Sequence, residues 1–256
     1  MKEKYNGFAF VTGGSRGIGA ACCLKLAEDG YDIAIQYVSD SSKEKAEAIA
    51  EECRNKYGVR AVVVYGDVSK YSDCKAAVEA AVAELGENIA VLVTSAGMVV
   101  QCSFDDATVE DLDKVIDVDL KGTIYAAHVV VPYMKKQNYG AIITISSVAG
   151  VYDIGQPSYS AAKGGVIALT KGLSRDYAHW NIRANCVAPG CIWTDMVKDY
   201  PEADIINARN STPLGFIADP EEIADCVSYI AGAKFLTGEI ISPNGGWRSH
   251  VYTYDN

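Results

Sequence analysis

The segment Thr12-Gly13-Gly14-Ser15-Arg16-Gly17-Ile18-Gly19 restricts what this chain can fold into more than any other. It directly follows the apolar run Phe8–Val11 and leads into helical periodicity over 18–29. Glycines at 13, 17 and 19 let the backbone turn tightly, come close to a ligand and pack the new helix on the strand before it. The first N–H groups of that helix have no intrahelical partners and carry partial positive charge, so the turn can receive a pyrophosphate. Strand, turn and helix make half of a β-α-β unit. Such a unit requires a second, parallel strand and a sheet covered on both faces. Gly13, Ser15, Arg16, Gly17, Ile18 and Gly19 are the candidate contacts to a dinucleotide.

The rest of the chain repeats this alternation. Strands are expected at Phe8–Val11, Ile33–Val38, Ala61–Tyr65, Ala90–Thr94, Ala141–Ile145, Ala184–Val187 and Glu239–Ser242. They are apolar almost throughout, as strands buried on both faces should be. Helices are expected at 18–29, 42–57, 70–85, 108–137, 158–179 and 220–231. In the second of these, Ala46, Ile49, Ala50 and Cys53 form one face among charged neighbours. The pattern predicts an α/β fold: a single doubly wound Rossmann domain over 1–256, with a seven-stranded parallel sheet flanked by helices on both faces. The stretch 194–219, punctuated by Pro201, Pro213 and the following Pro220, reads as an irregular, mobile substrate loop.

Composition removes several classes of function. A net charge of −10 argues against a nucleic-acid face, which needs clustered Lys and Arg. No apolar run approaches the roughly 20 residues of a membrane helix, and Met1–Asn6 leads into the first strand without a signal-peptide core, so a cytoplasmic location is expected. The eight cysteines form no Cys-x-x-Cys pair and only three histidines accompany them, so no metal site is expected. Most lie in apolar stretches, where a cysteine serves as a small core residue.

The second strand ends Gln36-Tyr37-Val38-Ser39-Asp40. A carboxylate at its tip would bind the ribose hydroxyls of NAD and repel the 2′-phosphate of NADP. Tyr37 stands at that tip. Arg16 could pair with a 2′-phosphate and Ser39 could donate to it, while Asp40 lies close by. NADP is therefore favoured, with NAD the alternative.

Ser146-Ser147-Val148-Ala149-Gly150 follows the fifth strand, and Tyr159-Ser160-Ala161-Ala162-Lys163 lies on the next helix. Tyr159 and Lys163 are one helical turn apart and share a face. A free tyrosine titrates near pKa ~10. A nearby ammonium stabilises its phenolate and makes it a usable general acid or base, and a serine hydroxyl at the strand end could hold a substrate oxygen.

Thr12-Gly-x-x-x-Gly-x-Gly, Ser95-Ala96-Gly97, Tyr159-x-x-x-Lys163 and Pro189-Gly190 occur here in the order and spacing of the short-chain dehydrogenase/reductases, which the chain resembles from about residue 7 to Gly246. Within that family it is most similar to the 3-oxoacyl-acyl-carrier-protein reductase group, through Gly155–Tyr159, Ala188–Met196 and Leu236–Glu239. The resemblance implies a Tyr159 and Lys163 catalytic pair interconverting a ketone and a secondary alcohol. It implies that Asp67 and Val68 hold the adenine, and that Ser95, Ala96 and Gly97 lie under the cofactor. Ile192 and Thr194 would bind the nicotinamide carboxamide. It also implies a homotetramer.

Two positions depart from the family pattern. Ser95 stands where asparagine is usual, and Asp119 falls on the family's catalytic asparagine in Asp119-Leu120-Lys121-Gly122. The aspartate is either a tolerated isostere or a change to the proton relay. The serine is also ambiguous. Ser147 heads the Ser-Val-Ala-Gly pattern but lies twelve residues before Tyr159, one fewer than is common, while Ser146 has the usual interval. Ser147 is preferred, with a one-residue shortening in 151–155.

The substrate is an acyl thioester, with acyl-carrier protein a candidate partner through Lys135 and Lys136, or else a small apolar ketone or steroid. For the latter, Met98, Tyr152, Trp193, Met196 and Tyr200 would line the pocket. A regulator that binds cofactor and has weak chemistry is the third reading.

Overall fold

The computed structural model describes residues 7–152, 156–198 and 200–247. The N-terminal Met1–Asn6, residues 153–155 of the loop 151–155 expected to be shortened, Asp199 and the tail from Arg248 to Asn256 lie outside the described residues.

Seven parallel strands form one sheet: β1 Phe8–Thr12, β2 Asp32–Tyr37, β3 Ala61–Tyr65, β4 Ile89–Thr94, β5 Gly140–Ile145, β6 Ile182–Val187 and β7 Ile240–Ile241. Their order is β3-β2-β1-β4-β5-β6-β7. The order reverses between β1 and β4, and the loops leaving those two strands diverge to opposite faces. That opens a crevice at the carboxyl ends, where ligands bind in such sheets.

Alternation along each strand explains why the runs are apolar throughout. Ala9 and Val11 of β1 join Ile33, Ile35, Val91 and Val93 on one face, under helices α1 (Gly17–Glu28), α2 (Asp40–Tyr57) and α10 (Pro220–Gly232). Phe8 and Phe10 join Leu92 and Ile142 on the other, under α3 (Tyr71–Leu85) and α5 (Gly122–Gln137). Five of the eight cysteines are buried, as expected of core residues. Burial pushes the thiols of Cys22 and Cys53 up to about 12, so they are poor nucleophiles.

Two expectations about elements need correction. The helix expected over 108–137 is interrupted: α4 (Val109–Val115) passes through a π-helical turn, Ile116–Lys121, before α5 begins. Across the turn the sequence Ile116-Asp117-Val118-Asp119-Leu120-Lys121 alternates apolar and charged residues, a departure from helical spacing that the expectation of one continuous helix passed over. The irregular stretch at 194–219 holds two helices, α8 (Asp195–Lys198) and α9 (Glu202–Asn210). Pro201 does not interrupt α9 but stands at its N-cap, where proline's missing N–H costs nothing, with Glu202 and Asp204 in the first turn. The two remaining helices are α6 (Val148–Val151) and α7 (Pro157–Tyr177).

Candidate active site

The glycine turn is fixed by contacts that leave no room for side chains. A Cβ on Gly19 would lie 2.2 Å from the carbonyl oxygen of Gly13, and one on Gly13 2.8 Å from Cα of Ala96. Gly13 and Gly17 have φ of +63° and +53°, in the left-handed region that suits glycine. Arg16, extended and exposed, caps α1 without a side-chain bond to the helix, so the first N–H groups of α1 face the crevice unclaimed by a cap. Ser15 is buried beside them. Thr12 Oγ1 accepts from the N–H of Ala96 at 3.1 Å, tying the loop after β1 to the loop after β4. A backbone cradle with an uncapped helix start suits a dinucleotide pyrophosphate.

One residue of this cradle is easily missed in the sequence. Gln36 is buried in β2, where its Oε1 accepts from the N–H of Gly13 at 2.8 Å and its amide donates to the carbonyl of Gly66. It joins the ends of three strands. The signal is a lone polar side chain inside an apolar strand, which must find partners once buried.

Around the adenine end, Tyr37 meets Tyr65 edge to face at a centroid distance of 5.9 Å. Asp67 accepts from the N–H and hydroxyl of Ser69 at 3.0 and 2.7 Å. Partial burial opposes its ionisation, but these bonds and Lys70 outweigh it and hold the carboxyl below its ordinary value. Val68 packs against Gly122. Ser39 is the N-cap of α2, accepting from the N–H of Ser42 while Ser42 Oγ accepts from its own N–H, so its hydroxyl already has a structural task.

Beyond β5 the two serines have different partners. Ser146 is buried and its hydroxyl donates to the carbonyl of Lys163 at 2.8 Å. Ser147 caps α6, where its oxygen accepts from the N–H of Ala149 at 3.1 Å, leaving its hydroxyl proton uncommitted to that cap. Gly150 is needed beside them, since a Cβ there would lie 2.6 Å from the carbonyl carbon of Lys163. Lys163 sits with its Nζ 5.5 Å from the ring centre of Tyr159. It donates to the carbonyl of Ile145 at 3.3 Å and pairs with Asp119 Oδ1 at 2.8 Å. The second contact is an ion pair by distance and not an aligned hydrogen bond. Burial alone would favour loss of the lysine's proton, but Asp119 and then Tyr159 outweigh it and hold the ammonium above the ordinary lysine range. Gly97 makes the pair possible: a Cβ there would lie 2.8 Å from Asp119 Oδ1 and 3.2 Å from Nζ.

The loop after β6 completes the crevice. Pro189 accepts from the N–H of Val148 at 2.9 Å, and Gly190 packs on Asn244 with no space for a side chain. Ile192 is buried and bridges to Ala218, which places the methyl group of Thr194 over Gly17, 3.2 Å from where a Cβ would stand. Of the expected pocket residues, Trp193 and Met196 are exposed and Tyr152 meets Trp247 at 6.0 Å. Tyr200 is half-buried near Tyr159, and burial first, then Tyr159, raises it above its ordinary value. The other wall of the cleft at Tyr159 comes from Val100, Cys102, Phe104 and Leu112, which the sequence did not single out. Lys135 lies over the ring of Trp180 at 4.8 Å and Lys136 pairs with Glu87, so both expected docking lysines are already engaged.

Residues 7–204 match the family model described as short chain dehydrogenase. The chain is 39% identical over 241 residues to a 3-oxoacyl-acyl-carrier-protein reductase of Staphylococcus aureus, covering 93% of this chain and 96% of that protein. It is 38% identical over 244 residues to an acetoacetyl-CoA reductase of Rhizobium meliloti, covering 93% and 97%. A blue fluorescent protein from a metagenomic library, solved in complex with NADPH, superposes with a TM-score of 0.87 at 32% identity, covering 97% of this chain and 100% of that one. Among the described residues no helix is long and apolar enough to cross a membrane. With this sheet order and a glycine cradle facing a tyrosine and a lysine across the crevice, the chain belongs to the short chain dehydrogenase family and is an NAD(P)-dependent oxidoreductase acting on CH–OH groups.

Proposed function

We propose that the protein is an NADPH-dependent reductase that converts 3-oxoacyl thioesters into 3-hydroxyacyl thioesters. The observation that carries the chemistry is the position of Tyr159, held on α7 one turn from the buried Lys163 ammonium and lining a cleft with Val100, Phe104 and Leu112 beside Asp111 and Gln156. The substrate class rests on the similarity to a 3-oxoacyl-acyl-carrier-protein reductase and an acetoacetyl-CoA reductase.

When bound, the reduced nicotinamide supplies a hydride to the carbonyl carbon. The protein's residues do the rest. Ser147 donates its free hydroxyl proton to the substrate oxygen and fixes the carbonyl in the cleft. Tyr159 gives that oxygen its proton as negative charge develops there. Lys163 holds the ribose and sets the potential at Tyr159. The turn Gly13–Gly19 holds the pyrophosphate through its backbone, with Asp67 and Val68 at the adenine, Ser95, Ala96 and Gly97 beneath, and Ile192 and Thr194 at the carboxamide. Arg16, with Ser39, reads the 2′-phosphate where Tyr37 replaces a carboxylate. The segment 194–219 is the substrate loop, and the assembly is a homotetramer.

A second reading, a small-ketone reductase, is favoured by the engagement of Lys135 and Lys136, which leaves those lysines poorly placed to meet an acidic carrier protein. One assay separates the two: reduced-cofactor absorbance with NADPH or NADH, against an acetoacetyl thioester and against cyclic ketones. Turnover of the thioester with NADPH, at least tenfold faster than with NADH, is expected. Oxidation only with cyclic ketones would replace the acyl reading with the second.

A further inference from the structure

We propose that Asp119 is a positioning residue that cancels the charge of Lys163 and so biases the site toward ketone reduction at neutral pH. The inference rests on Tyr159 being the proton donor, and it goes beyond that assignment by saying what charge the protein sets beside it.

The geometry is that of a built pair. Asp119 has 0% of its surface exposed and lies in the π-helical turn. Its Oδ1 is 2.8 Å from Lys163 Nζ and its Oδ2 accepts from the N–H of Met98 at 3.0 Å. Thr123 donates to its carbonyl at 3.0 Å, which fixes the backbone from the next turn. Lys163 is also buried, and Gly97 supplies the space for both groups. Both charges have left water, so each is tolerated because of the other.

The pair changes what Tyr159 faces. An ammonium alone would present a full positive charge 5.5 Å from the Tyr159 ring. With the carboxylate beside it, the pair is neutral overall. Among the described residues, the other titratable groups facing this region are Cys186 on β6, whose thiol faces Lys163, and Tyr200 after α8, which faces Tyr159 and Cys191. Asp117, in the same π-helical turn, pairs with Lys121 at the surface at 2.6 Å. A thiol and a phenol bring no standing charge at neutral pH, so Asp119 is the anion that sets the balance. A site without excess positive charge gives less help to a phenolate. Reduction consumes a phenol proton and oxidation needs the phenolate, so cancelling the positive charge beside the ring favours the reductive direction. The reaction's equilibrium is untouched; the change lies in the pH at which each direction runs.

The test compares wild type with Asp119→Asn and Asp119→Glu, each also made with Tyr159→Phe, measuring kcat and KM in both directions across pH. In Asp119→Asn the alkaline limb of ketone reduction should fall by about one pH unit. Whether the limb reports the phenol or the now uncompensated ammonium, it moves the same way. Oxidation of a 3-hydroxyacyl thioester at pH 7 should rise several-fold. Asp119→Glu, which keeps the charge, should stay near the wild-type limb.

Thermal unfolding of the cofactor-free proteins gives a reading independent of turnover. Asp119→Asn should melt roughly 10 °C below wild type at pH 7, with the gap narrowing toward pH 9. In the variant, Lys163 binds its proton less tightly folded than unfolded, so stability rises with pH through that window. In wild type the ammonium is held and no such rise occurs. If Asp119→Asn does not fold, Asp119→Ser, shorter and equally neutral, carries the same expectations. Wild-type turnover with an unchanged limb in the neutral variant overturns this inference alone. Turnover that survives Tyr159→Phe overturns the reading beneath it.

Discussion

On the β1 side of the crevice the site is made of backbone, and on the β5 and β6 side it is made of side chains. The cradle at Gly13–Gly19 works because three glycines admit approaches of 2.2–3.2 Å that no side chain could share. The other side is built from groups on side chains: Lys163 lies between Tyr159 and Asp119, and Ser147 caps α6. The backbone side should therefore fail through geometry and affect binding. The side-chain side should fail through chemistry and affect rate. Each prediction below asks whether that division holds.

The largest effect short of the tyrosine is expected at Ser147. Ser147→Ala removes a donor to the substrate oxygen and should lower kcat by about 10²–10³ with little change in melting. Gly19→Ala forces the new Cβ onto the Gly13 carbonyl, a crowding that costs about 1–3 kcal/mol. Cofactor titration should show about a 100-fold weaker Kd, with the surviving bound enzyme turning over near normally. A kcat loss as large as the binding loss would show that the two sides are not separable. Arg16→Ala should weaken NADPH about tenfold and leave NADH unchanged, because one charge-assisted contact is lost. Equal weakening of both cofactors would mean that Arg16 serves the turn and not the phosphate. The smallest effect is expected for Ser146→Ala, which removes one buried hydrogen bond to Lys163. It should lower Tm by about 2–4 °C and barely touch kcat.

The same division explains what could be read from sequence. Strands buried on both faces advertise themselves, and the observed bounds differ from expectation by a residue or two, as with Ile33–Val38 against Asp32–Tyr37. The glycine turn is legible because glycine is demanded by backbone shape. The catalytic side is legible only in part. Tyr159 and Lys163 share a face by helical spacing, but the different partners of the two serines, the Lys163 carbonyl for Ser146 and the start of α6 for Ser147, are set by the fold and not by any local pattern. The π-helical turn that carries Asp119 shows in the sequence only as six residues of apolar and charged alternation, too short a run to tell a π turn from other breaks in helical spacing. Gln36 and the wall at Val100–Phe104 depend on what the fold brings near them, and Pro201 and Pro220 look like breakers until their place at helix starts is seen.

The most direct test of the account measures NADPH binding and ketone reduction on the same preparation of Tyr159→Phe. Kd within about twofold of wild type, with kcat lower by about 10²–10⁴, is the predicted result. Retained turnover, or a loss of binding that matches the loss of rate, would contradict the placement of the proton donor at Tyr159.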